Sequence, residues 1–173
     1  MILEVRAWAA DLSTDRRTHA LLGVATGIFR RLSSVEFGFA EDFQIVSIRS
    51  GAARSPKTLS GGETFLASLA LALALVELHS RSGARLGALF LDEGFGSLDA
   101  DALASSLAVL QAETGADKLV AVISHLHAVA EAAEDVMWVE RNPEGSTARW
   151  LDGAERDALV REDVTSGLLR LVS

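Results

Sequence analysis

Residues 65–76 read Phe-Leu-Ala-Ser-Leu-Ala-Leu-Ala-Leu-Ala-Leu-Val, an apolar run relieved only by Ser68. Nothing else in the chain restricts the fold as much. A helix that is apolar on every side is a buried one. The run is too short for a bilayer, which takes roughly 18 or more apolar residues. It predicts a long helix starting at Ser60 and ending between Ser80 and Gly83. The other elements of a 173-residue chain must then cover it, and that length suffices for one domain with a real core.

The stretch before the run is Lys57-Thr58-Leu59-Ser60-Gly61-Gly62-Glu63. Two glycines behind a serine, at the mouth of a helix, leave bare backbone N–H groups at the positive end of the helix dipole. Such a place holds an anion, phosphate above all. A ligand-free reading fits the same residues. Ser60 and Glu63 have the S-x-x-E spacing of a capping box.

Composition narrows the classes. The net charge of −8 argues against DNA binding by bulk electrostatics, though not against a local basic patch or a role delegated to a partner. There is no cysteine, hence no disulfide, thiolate chemistry or cysteine-ligated metal, which fits a reducing compartment. Met1 to Arg6 lack the basic start and apolar core of a signal peptide.

Residues 4–32 read as helix, weakened by Gly23 and Gly27. Val35, Phe37 and Phe39 alternate with polar or small residues, and Phe43 to Arg49 follows after Glu41-Asp42. These are two strands of a hairpin. After the long helix, Ala88-Leu89-Phe90-Leu91 and Lys118 to Ile123 are apolar runs suited to strands buried on both faces. Leu98 to Gln111 is a helix between them, and Leu126 to Ala133 a shorter one. Val136 to Val139 reads as a third core strand, and a turn at Asn142 to Gly145 leads to a last strand, Thr147 to Leu151. Ala154 to Leu171 reads as two short helices. Strand-helix repetition from 88 to 140 is the βαβ rhythm of a parallel sheet. Ligands of such sheets bind beyond the carboxyl ends of the strands.

Two polar clusters fall at that edge. Asp92-Glu93 ends one strand: Asp92 is placed to hold Mg²⁺ directly or through water, and Glu93 to polarise a water attacking a γ-phosphate. Acids also end strands simply because solvent is there. Ser124-His125 ends the next strand, and a neutral imidazole can donate to a phosphate oxygen. Ser97-Leu98-Asp99 has the look of a helix N-cap. His19, His79 and His127 have no comparable placement and are expected in solvent.

The order is Leu-Ser-Gly-Gly-Glu, four apolar residues with Asp-Glu, Ser-Leu-Asp, then Ser-His after the next strand. It resembles the C-terminal half of an ABC-type ATPase head: signature motif, Walker B, D-loop and switch histidine. Residues 55–75, 89–99 and 122–125 look like SbcC, the ATPase subunit of the bacterial SbcCD nuclease, a family similar to the eukaryotic double-strand-break repair ATPase. Transporter domains usually have glutamine and proline where this chain has Glu63 and Gly94. The resemblance implies an α/β fold: the C-terminal half of a P-loop head, a largely parallel sheet flanked by helices, with an antiparallel hairpin before the signature helix. It also implies three segments: 1–34 as the end of a returning coiled-coil helix, 35–151 as the lobe, and 152–173 as a helical tail.

By the same resemblance, Asp92 binds Mg²⁺ through water, Glu93 orients the attacking water and His125 senses the γ-phosphate. Ser60, Gly61 and Gly62, with Glu63 and Lys57 beside them, meet ATP carried by an opposite head, and Asp99 crosses the dimer interface. The implied partners are the N-terminal P-loop lobe of the same protein, a second identical head, an SbcD-type nuclease subunit and, through the complex, double-stranded DNA. No membrane is implied, and the setting is cytoplasmic. The sequence holds no G-x-x-x-x-G-K-[ST]. The chain thus reads as the C-terminal lobe alone, expected to be inactive by itself and to expose an apolar patch. Two other readings remain: a lobe of an SMC-type or other ABC ATPase, or a non-catalytic interaction module.

Overall fold

The computed structural model describes residues 2–33, 36–54, 58–81, 87–113, 118–159 and 161. The chain divides into two compact units, residues 1–89 with 97–121 and residues 90–96 with 122–173.

In the first unit, α1 spans Ile2–Leu32 and α2 spans Gly61–Arg81. Leu22, Ala25, Ile28, Phe29 and Leu32 recur at helical spacing and form the buried stripe of α1. Gly23 and Gly27 lie off that stripe, with open space around each, so they do not interrupt the packing. α2 packs along α1 and buries Leu66, Ala67, Leu69, Ala70, Leu73 and Ala74. By length and composition the whole of α2 could cross a membrane. Its buried side is that of a core helix. The expectation of burial all round holds only on that side: Ser68 is exposed and Leu75 is 49% exposed.

The expected hairpin forms. β1 (Phe37–Phe39) pairs antiparallel with β2 (Ile45–Ser47), Gly38 opposite Val46. A short β3 (Ala53–Arg54), which the sequence does not announce, adds to the far side of β2. The Phe29 ring stacks 6.4 Å from Phe37 and lies 5.6 Å from Phe39. The Phe39 N–H donates to Thr26 Oγ1 at 3.0 Å. A Cβ on Gly38 would lie 2.8 Å from Thr26 Cγ2, so only glycine lets the sheet approach α1 this closely.

β4 (Ala88–Asp92) and β5 (Leu119–Ile123) form a separate two-stranded sheet. Leu119 N–H donates to Gly87 O and Glu93 N–H to Ile123 O, so the bonds advance along both strands in one sense, as in a parallel pair. Between these strands in the chain come a 3₁₀ turn, Phe95–Ser97, and α3, Ala100–Glu113. Burial on both faces is not observed. Phe90 is 67% exposed, Leu119 58% and Ile123 56%.

In the second unit, α4 (His127–Ala132) buries Val129 and Ala130. β6 (Met137–Asn142) pairs antiparallel with β7 (Gly145–Trp150). The sequence pattern predicts a core strand over residues 136–139. Every residue of β6 is instead exposed, because a tight turn at its end commits it to a hairpin with nothing described over either face. A last helix, α5, covers residues 153–159. Asp152 and Glu155 cap it reciprocally, and Arg149 grips the Glu155 carboxylate at 2.7 and 2.9 Å. The second helix expected in the tail lies outside the described residues, as does Lys57.

Candidate functional site

The candidate residues fall into two groups, each built by its own local chemistry. The first group is the mouth of α2. Ser60 Oγ accepts the Glu63 N–H at 3.1 Å, and Glu63 Oε2 accepts the Ser60 N–H at 2.9 Å. The capping box expected from the S-x-x-E spacing is therefore made. The other Glu63 oxygen pairs with Arg54 at 3.3 Å, and that guanidinium also lies 4.9 Å over the Phe37 ring. Both Glu63 oxygens are thus engaged within the chain.

Gly61 is exposed and Gly62 buried. The reason for Gly62 is steric: a Cβ there would stand 2.8 Å from Ser97 O and 3.3 Å from Leu98 Cδ2. The backbone of the segment before α3 crosses directly over the start of α2. Asp99 follows it and caps α3, its Oδ1 accepting the Ala102 N–H at 2.8 Å. The N-cap reading of Asp99 is met in this chain, and Asp99 remains exposed.

The second group lies at the carboxyl ends of β4 and β5. Asp92 ends β4 exposed. Glu93 follows with φ of 61°, and Gly94 with φ of 99°. Two successive left-handed residues turn the chain sharply out of the strand, while the Glu93 N–H stays bonded to Ile123 O at 3.0 Å. The Glu93 side chain is 66% exposed, and its Oε1 lies 3.7 Å from His125 Nδ1. Phe95, 1% exposed, anchors the loop. A Cβ on Gly96 would touch the His125 ring at 3.5 Å, so the loop runs close to the imidazole. Ser124 Oγ accepts the Leu126 N–H at 3.1 Å and shapes the turn that carries His125.

The structure brings Glu93 and His125 together beside Asp92, and Ser60 to Glu63 together with the segment leading to Asp99. Three contributors escape a reading of the sequence. Gly96 is legible only as part of Gly-Phe-Gly, Phe95 as an aromatic between glycines, and Arg54 as a lone cation. One expectation is corrected: His127 is not simply solvated, since its Nδ1 is buried with no hydrogen-bond partner. His19 stands in solvent, 3.6 Å from an exposed Glu41.

Among the described residues no group of three side chains could cage a metal ion. A lone carboxylate, Asp92, suits a Mg²⁺ ion held mostly by phosphate and water rather than by protein. A helix mouth of free N–H groups suits a phosphate whose other ligands come from elsewhere. Each group is part of a nucleotide site, and neither is a whole one.

Comparison with known proteins agrees. Residues 39–112 match the family model described as SbcC/RAD50-like, Walker B motif. The SbcC component of the SbcCD nuclease of Lactococcus lactis is 49% identical over 87 residues, covering 49% of this chain and 8% of that protein. Its counterpart in Deinococcus radiodurans is 41% identical, covering 60% and 11%. A probable DNA double-strand break repair Rad50 ATPase of Aquifex aeolicus is 36% identical, covering 78% and 14%. The chain therefore spans about a tenth of the length of these relatives. Among solved structures, a chain from a study of ATP-driven dimerization and DNA-stimulated activation of SMC ATPases aligns at TM-score 0.70 and 17% identity, covering 87% of this chain and 94% of that one. An Smc head domain with coiled coil from Pyrococcus yayanosii aligns at TM-score 0.69 and 16% identity, covering 94% and 32%. The fold is that of an SMC-type ATPase head lobe.

Proposed function

We propose that this chain, the C-terminal lobe of an SbcC-like ATPase head, completes a composite ATP site. One observation carries the reading. Glu93 is turned out of β4 by a left-handed backbone and meets His125 at 3.7 Å beside Asp92, at the strand ends where α/β sheets bind ligands. Mg²⁺, when bound, supplies charge neutralisation at the phosphates. Asp92 holds it through water. Glu93 accepts the proton of the attacking water and orients it. His125 keeps Glu93 in place and donates toward the γ-phosphate.

The mouth of α2 serves another nucleotide. Ser60 Oγ and the N–H groups of Gly61 and Gly62 meet the γ-phosphate of ATP carried by a second head, with Lys57 and Glu63 beside them, while Asp99 crosses to that head. The P-loop lobe of the same protein holds the chain's own nucleotide and covers β4 and β5. The relatives' names add a nuclease subunit of the SbcD type and double-stranded DNA as partners of the whole assembly, in the cytoplasm. Residues 1–34 are the returning end of a coiled coil, and 152–173 a helical tail. The sequence matches favour an SbcC-like protein over a chromosome-organising SMC protein, whose heads share the fold.

Glu93→Gln tests this in a complete head that carries the lobe. ATP hydrolysis is expected to fall by about 10²-fold or more, while ATP-dependent association of heads persists. Retained hydrolysis contradicts the role of Glu93.

A further inference from the structure

Gly62 is the point where two functional segments touch within one chain. A Cβ there would meet backbone, Ser97 O at 2.8 Å and the Ser97 carbonyl carbon at 3.6 Å, not the yielding end of a side chain. One residue earlier the geometry relaxes: a Cβ on Gly61 would lie 3.5 Å from Ser97 Cβ, an ordinary contact. Beyond Ser97 the chain turns at once into α3, fixed by the Asp99 cap and by the Leu103 N–H bonded to Asp99 O at 2.9 Å. Ser106, with no exposed surface, and Leu110, 4% exposed, seat α3 in the core. α3 cannot retreat, and α2 is anchored along α1. The room left by the missing side chain of Gly62 therefore sets where Asp99 stands relative to Ser60 and Gly61.

We infer that Gly62 is a positioning residue: by admitting the Ser97–Leu98 backbone it locks the Asp99 segment to the mouth of α2, so that both present to a second head as one rigid face. The functional half of this inference rests on the proposed head-to-head site. The packing half does not. Adding a methyl group at Gly62 would push Ser97 away and uncouple Asp99 from the helix mouth, even with every hydrogen-bonding group retained.

The chain has no native cysteine, which permits a direct test. The Gly61→Cys/Ser97→Cys chain is expected to close a disulfide under mild oxidation, since natural disulfides place their Cβ atoms about 3.5–4.5 Å apart. Adding Gly62→Ala should slow closure by about tenfold. Failure of the pair to close, or closure at the same rate with Gly62→Ala, overturns the inference; if Gly62→Ala prevents folding, the cysteine pair alone decides. In a complete head carrying the lobe, the loss of ATP-driven association caused by Asp99→Ala should shrink to less than about twofold on a Gly62→Ala background. Losses that multiply independently contradict the coupling. A complete unmodified head that does not associate with ATP refutes the proposed function instead, and leaves the disulfide result to judge the packing.

Discussion

Glu93 occupies a left-handed conformation that costs a non-glycine residue on the order of 1 kcal/mol or more. Its side chain is mostly solvent-exposed, so packing does not explain the choice. Glycine would hold the same turn without strain. Glu93→Gly is therefore expected to raise stability by about 1 kcal/mol in chemical denaturation while removing hydrolysis from a complete head. A stability loss would show that the backbone is not strained there. At this scale the sequence was legible where chemistry is local. The Ser60–Glu63 box needs only residues three apart, and both its bonds are present. The sign of φ at Glu93 was not legible, because nothing in Leu-Asp-Glu-Gly states which residue turns left-handed. Nor was the buried Nδ1 of His127, since burial of one ring nitrogen depends on neighbours distant in the chain.

Helices and strands followed their periodicities. α1 survives Gly23 and Gly27 because its buried stripe runs elsewhere, and propensity yields to packing. The alternation of Phe37 and Phe39 yielded the hairpin and its register. What periodicity could not supply was burial. The runs at 88–91 and 119–123 have the composition of strands covered on both faces, yet Phe90, Leu119 and Ile123 stand more than half exposed. The pattern encodes a covering element, and the proposed P-loop lobe is that element. Until it is covered, such a face drives association. The isolated chain should self-associate and bind an apolar dye, and Phe90→Asp should weaken association while changing stability by no more than about 0.5 kcal/mol, as read by sedimentation and denaturation. A wild-type chain that stays monomeric and dye-free at high concentration argues against a covering lobe.

At the scale of the molecule, two half-sites were predictable from motif order but not from any motif alone. The glycines of Ser60-Gly61-Gly62, the acids after β4 and the histidine after β5 each fit an ordinary structural role. The structure confirms several of those roles: the helix cap at Ser60 and the cap at Asp99 are both made. Capping and phosphate binding use the same geometry, so the structural role presents the site and does not compete with it. Nothing in the chain resembles a phosphate-cradling P-loop. Catalysis therefore falls to an assembly to which this lobe brings the water-orienting acid and the histidine. The direct measurement is steady-state ATP hydrolysis by the purified 173-residue chain, alone and mixed with the separately expressed P-loop half of an SbcC-like head. No turnover is expected alone, and Mg²⁺-dependent turnover that Glu93→Gln abolishes is expected in the mixture. Turnover by the chain alone that Glu93→Gln abolishes would contradict the account.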